Sequence, residues 1–132
     1  MKKYAVPGNT IGILGRRRTI LKELEESYPS NVITCAADIS RQEEMSKAVR
    51  YFQSQIQTID IVILCSGIGE QNTSLDFNIE YPTLLTNVVG WTHAVDAFYN
   101  ILNHQGFGHL VAITSIGGLR GEPQAPAYSA SK

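Results

Sequence analysis

Apolar runs of strand length alternate with stretches of helical period four times along this chain, and few architectures accept that order. Thr10-Ile11-Gly12-Ile13-Leu14 reads as a short buried strand. Ile20 to Tyr28 reads as a helix, with Ile20, Leu21 and Leu24 as its apolar stripe and Thr19 as its candidate N-cap. Asn31 to Ala37 is the next strand. Ser40-Arg41-Gln42-Glu43 has the capping-box pattern and opens a helix in which Met45, Ala48, Val49, Phe52 and Ile56 recur at helical spacing. Ile59 to Cys65 is apolar throughout except Asp60, the pattern of a strand covered on both faces. A long helix from about Thr83 to Asn103 stops near Gly106. The strand ending at Ser115, a loop rich in Gly and Pro, and the start of one more helix follow. The alternation predicts an α/β fold with a parallel sheet and helices on its faces. A smaller α/β sandwich of another strand order is the alternative.

The 132 residues have the size of one domain, spanning 1–132. A net charge of −1 suggests no polyanion partner such as a nucleic acid. No apolar run is long enough to span a bilayer, and Met1-Lys2-Lys3 leads into no signal-peptide core, so no membrane partner is expected. Cys35 and Cys65 each lie in an apolar run and read as reduced core cysteines of a cytoplasmic protein. His93, His104 and His109 lack metal-like spacing and read as surface or helix-end residues.

Chemistry concentrates in Tyr128-Ser129-Ala130-Ser131-Lys132. On a helix, residues four apart share a face, so a phenol and an ammonium would meet there. A free phenol titrates near ~10, and a neighbouring ammonium favours the phenolate, which makes such a pair a proton-transfer device. A solvated helix face explains the same spacing. Ser115 stands at the carboxyl end of a strand, where open α/β sheets place their ligands, or else it caps the turn. Arg16 and Arg17 follow the first strand, where an Arg accommodates a nucleotide 2′-phosphate through its planar fork. Gly15 stands where the acidic residue of an NAD site is expected. A solvated arginine turn is the other reading.

Ser115, then Tyr128-x-x-x-Lys132, together with Asn87-Val88-Val89-Gly90, resemble the catalytic set of the short-chain dehydrogenase/reductase family, ordinary dehydrogenase type. Gly108 to Ser115 and Pro126 to Lys132 are close to the family's wording as well. The resemblance implies a doubly wound, Rossmann-like α/β fold and hydride transfer between a nicotinamide and a small carbonyl or alcohol. It implies that Tyr128 moves the proton on the substrate oxygen, Lys132 assists it and bonds the nicotinamide ribose, and Ser115 holds that oxygen. Asn87 would sit in a bent helix and keep a water chain to Lys132. Asp38 would bond the adenine, with Ile39 packed nearby, and Leu64-Cys65-Ser66-Gly67 would line the cofactor, Cys65 replacing an Asn and Gly67 allowing close approach. With Arg16 and Arg17, NADP(H) is expected over NAD(H).

The family's glycine-rich phosphate turn is missing, since Gly12, Gly15, Gly67 and Gly69 form no such pattern after a leading strand. Lys3 to Thr10 aligns with the end of the family's first helix. The expectation is therefore a partial domain truncated at both ends, lacking the first strand and impaired in activity. Its strands at 10–14 and 59–65 would close up side by side in a four-stranded sheet. Its Tyr-Lys pair would stand on about one helical turn with nothing to hold it. A second copy, or a chain completing the sheet, is the expected macromolecular partner. A non-catalytic remnant or interaction module is the competing reading, and a sugar-nucleotide epimerase or dehydratase of the same wider family is a third.

Overall fold

The computed structural model describes residues 3–132. The chain divides into two compact units, one ending at Thr58 and one spanning Ile59–Lys132.

The first unit runs β1 (Ile11–Gly15), α1 (Arg18–Ser27), β2 (Val32–Ala36) and α2 (Gln42–Gln55). β1 and β2 pair in parallel with Gly15 opposite Ala36, and the ladder continues as Ala37 N–H donates to Gly15 O over 3.0 Å. Met45, Ala48, Val49 and Phe52 are buried, as the helical spacing of α2 predicts, and Leu21 of α1 and Val32 of β2 are buried as well. Glu25 locks α1 to β2 by accepting from both the backbone N–H and the hydroxyl of Thr34, at 2.8 and 2.9 Å.

Both expected caps differ. α1 begins at Arg18, so Thr19 lies inside the helix, and Arg17 holds the cap position without a side-chain bond. Ile20 is exposed and leaves the apolar stripe. The Ser40 capping box does not form, because the Ser40 hydroxyl donates to Asp38 Oδ1 at 2.7 Å. Arg41 takes the cap position, and Glu44 reaches back to accept from Asp38 N–H at 2.9 Å. Glu44 thus ties back to the turn before the helix and not to the cap residue, whose own N–H donates to Asp38 O at 3.0 Å.

The second unit runs β3 (Ile61–Leu64), α3 (Phe77–Leu84), a π-helical turn (Leu85–Gly90), α4 (Trp91–Gln105), β4 (His109–Ala112), a 3-10 turn (Ile116–Gly118) and α5 (Pro126–Ala130). β3 and β4 pair in parallel, with Leu64 opposite Ala112. Gln105 at the end of α4 clasps Ile59 on both sides, accepting from its N–H and donating to its carbonyl at 2.9 Å each. Gly106 ends α4 at φ 84°, a left-handed cap that favours glycine.

Three expectations change here. The long helix starts at Phe77, earlier than expected, capped by the Asp76 side chain. It passes through Pro82, which offers no N–H to the ladder, and widens into the π turn three residues later. β3 is not covered on both faces: Val62 and Leu64 are buried, while Ile61 and Ile63 are exposed. Cys65 is likewise exposed, not a core cysteine.

The strand pairs form two sheets, β1-β2 and β3-β4, and the expected four-stranded sheet is not formed. No helix among the described residues is long and apolar enough to cross a membrane.

Candidate active site

Parallel pairing delivers residues to the same end of neighbouring strands, and each unit carries candidates there. In the second unit the carboxyl ends of β3 and β4 lead into Cys65–Gly69 and into Ser115–Gly118. Asn87, Ser115, Tyr128, Lys132, Cys65 and Gly67 all belong to this unit.

Asn87 is the best-fixed of them. It lies in the π turn and is 4% exposed, so its amide faces the interior and not solvent. Its Oδ1 accepts from Ile68 N–H at 2.8 Å, while its Nδ2 donates to Ile68 O at 2.7 Å and to Ser131 Oγ at 2.9 Å. The Ser131 hydroxyl in turn donates to Tyr128 O at 2.8 Å. One side chain thus joins the segment after β3 to the end of α5. A π turn presents side chains out of ordinary helical register and recurs at functional sites.

Tyr128 sits within α5, whereas Lys132 follows the helix's last turn, its N–H donating to Ser129 O at 3.2 Å. The Lys132 ammonium stands 5.7 Å from the centre of the Tyr128 ring. Two glycines make room for the pair. A Cβ at Gly67 would stand 2.8 Å from Lys132 Nζ and 3.5 Å from Asn87 Oδ1. A Cβ at Gly69 would stand 2.5 Å from the Tyr128 ring. Any larger residue at either place must displace the side chain it faces.

Ser115 caps the 3-10 turn, its Oγ accepting from Gly117 N–H at 3.1 Å. Its hydroxyl proton is not used by that contact. Gly117 is a neighbour common to Ser115 and Tyr128: a Cβ there would be 3.2 Å from one ring carbon and 3.5 Å from Ser115 Oγ. The cap and a second role are compatible.

In the first unit Arg16 and Asp38 leave the same end of β1 and β2, and Arg16 Nη1 stands 3.7 Å from Asp38 Oδ2. Burial alone would raise the Asp38 carboxyl. Hydrogen bonds from the Ser40 hydroxyl and N–H, with the Arg16 and Arg41 charges, outweigh it and hold the carboxyl below its ordinary value. Ile39 beside it is buried, and Arg17 is exposed at the start of α1. Cys35 in β2 has its thiol pushed up by burial, which the Arg18 charge only partly opposes.

His93 is not simply a surface residue, since its Nδ1 is buried without a hydrogen-bond partner. No group of His, Cys, Asp and Glu among the described residues is placed to hold a metal ion.

Sequence reasoning missed Ser131, Gly69, Asn72 and Glu80. Asn72 is 1% exposed, and its N–H donates to Gln124 O at 2.6 Å. It stands in a polar stretch, Glu70 to Asp76, that gives no period and looks like solvated loop.

A family profile described as short chain dehydrogenase matches residues 2–132. An uncharacterized oxidoreductase of Mycobacterium tuberculosis is 31% identical over 99% of the chain and 55% of its own length. The chain thus spans about half of the curated relatives it matches. Among solved structures, an NAD+-bound xylitol dehydrogenase superposes with a TM-score of 0.86 at 22% identity, over 93% of this chain and 50% of the other. The closed form of a serine dehydrogenase complexed with NADP+ gives 0.89 at 19%, over 99% and 54%. These likenesses establish the Rossmann-like α/β fold.

Proposed function

Because the chain belongs to the short-chain dehydrogenase family, we propose that it carries the proton-transfer centre and part of the nucleotide site of an NAD(P)-dependent oxidoreductase acting on a small carbonyl or alcohol. The observation that carries this reading is the convergence of Ser115, Tyr128, Lys132 and Asn87 within one unit, around glycines that leave room for them.

The residues fit a nicotinamide nucleotide. Gly67 is exposed beside the Lys132 ammonium, and the Arg16 guanidinium stands largely in solvent at a strand end. The nucleotide, when bound, supplies or accepts the hydride. Lys132 and Gly67 would hold its nicotinamide ribose end, with Cys65 alongside. Asp38 and Ile39 would meet the adenine, and Arg16 and Arg17 a 2′-phosphate, which favours NADP(H) over NAD(H). Tyr128 gives or takes the proton on the substrate oxygen, which Ser115 bonds through its unused hydroxyl proton. Asn87 fixes Ile68 and Ser131 on either side of that centre.

A cytoplasmic setting, supported by the unpaired thiols Cys35 and Cys65, belongs to the same reading. Ile61, Ile63, Val111 and Ile113 alternate along one exposed face of the β3-β4 sheet. They support a further polypeptide face, from a second copy or a chain completing the sheet, as partner.

A fluorescence titration with NADPH, run beside NADH, tests the nucleotide assignment. Saturable binding, tighter for NADPH and weakened on the order of tenfold by Arg16→Ser, is expected for one charged phosphate contact. Equal affinity for both nucleotides, unchanged by Arg16→Ser, rules the assignment out.

A further inference from the structure

α5 has five residues, far too few to be stable alone, yet it carries Tyr128. Its carboxyl end is tied through Ser131 to Asn87. Its amino end is tied by Glu80, two turns before Asn87 along the same helical run. Glu80 Oε2 accepts from the N–H of Ala127, the residue preceding Tyr128, at 2.8 Å. Glu80 Oε1 accepts from Asn72 Nδ2 at 2.5 Å. The orientation of the Asn72 amide is fixed independently, because its Oδ1 accepts from Asp76 N–H at 3.0 Å and its Nδ2 also donates to Asp76 O at 2.9 Å. Glu80 therefore faces one donor on each oxygen: the Ala127 N–H on one, and on the other the Asn72 amide group, which divides its two hydrogens between Glu80 and Asp76.

We infer that Glu80 is a positioning residue for Tyr128: its carboxylate clamps the first turn of α5 against α3 and so fixes where the phenol stands. Only a carboxylate satisfies the geometry, because a glutamine amide would turn a donor toward Asn72 Nδ2 or toward Ala127 N–H. Ala127 is buried, so its N–H has no water to turn to. The backbone bond from Asn72 to Gln124 O closes the same clamp from the loop before α5. Glu80 touches no reacting atom and acts through the helix it holds. The inference rests on the reading of Tyr128 as the proton-transfer residue.

The test compares the full chain with Glu80→Gln, nearly isosteric, and with Asn72→Ser, which loosens the same carboxylate from its other side. NADPH-dependent carbonyl reduction, amide exchange at Ala127, and NOEs from the Tyr128 ring to the Gly69 and Gly117 α-protons are measured on each. Glu80→Gln is expected to quicken Ala127 exchange at least tenfold and to weaken the ring NOEs. It should lower kcat on the order of tenfold while leaving the carbonyl KM within about twofold, as a displaced catalytic group does. Asn72→Ser should move the same quantities in the same direction by a smaller factor. Unchanged Ala127 exchange, or faster exchange with unchanged ring NOEs and kcat, overturns the inference. A wild-type chain that reduces no carbonyl defeats the functional reading instead, and the ring NOEs of the two variants then decide the clamp: lost supports it, retained overturns it.

Discussion

Asn87 in the second unit and Arg16 in the first are held in opposite ways. In the second unit Asn87 is buried and uses every hydrogen-bonding atom shown, twice on Ile68 and once on Ser131. In the first unit the Arg16 side chain is 59% exposed and touches Asp38 only at 3.7 Å. Buried, reciprocated amides resist displacement, since every lost bond leaves an unsatisfied partner. An exposed ion pair contributes little and leaves the guanidinium available to another anion. The contrast suits the two tasks proposed: a proton-transfer centre has to be built beforehand, whereas a phosphate can be met by a side chain that adjusts.

On this contrast, Asn87→Ala is the most damaging single change. It strands both Ile68 backbone groups and should lower stability by about 3 kcal/mol, read as a large fall in melting temperature. A loss below about 1 kcal/mol would mean the network is slack. Gly69→Ala comes next. The new methyl meets the Tyr128 ring, and the repacking should cost about 2 kcal/mol with a changed near-ultraviolet tyrosine signal. Wild-type stability with an unaltered signal would show that the ring is not seated against Gly69.

The smallest effect belongs to the first unit. The Asp38 carboxyl is held below its ordinary value in the fold, so it stabilises above the unfolded-state value and loses that contribution as pH falls through the folded one. Ser40→Ala removes the hydroxyl bond and should reduce stability by about 1 kcal/mol near neutral pH. The difference should vanish at acid pH, where the carboxyl is protonated in both states. A difference that persists there, in thermal melts across pH, would assign the effect to something other than the carboxylate.

Order and spacing revealed much of this. The alternation of apolar runs located the four strands of the described residues, and Gly106 marked a helix end that the left-handed cap confirms. The strand limits came out too wide at Ile59, Cys65 and Ser115: single backbone bonds at Asp60 and Ile113 extend the pairing by one residue, and nothing in the residue types marks where it stops. Ile61 and Ile63 look the same in sequence as Val62 and Leu64, and only the pleat and the helices packed on one face tell them apart. Ser40 could bond forward into a helix or back to Asp38, and local pattern does not choose between them. The one-turn helix expected to lack support is held at both ends by Glu80 and Asn87. The bonds doing this span 47 and 44 residues of chain, which no local window contains.

The most direct test of the account is NADPH consumption by the chain over a panel of small carbonyls, with Tyr128→Phe run in parallel. The account predicts turnover by the wild type and a loss of about 10²–10⁴-fold on removing the hydroxyl, the usual scale for a positioned proton donor. Equal rates for the two proteins, or no consumption with any carbonyl, would contradict it.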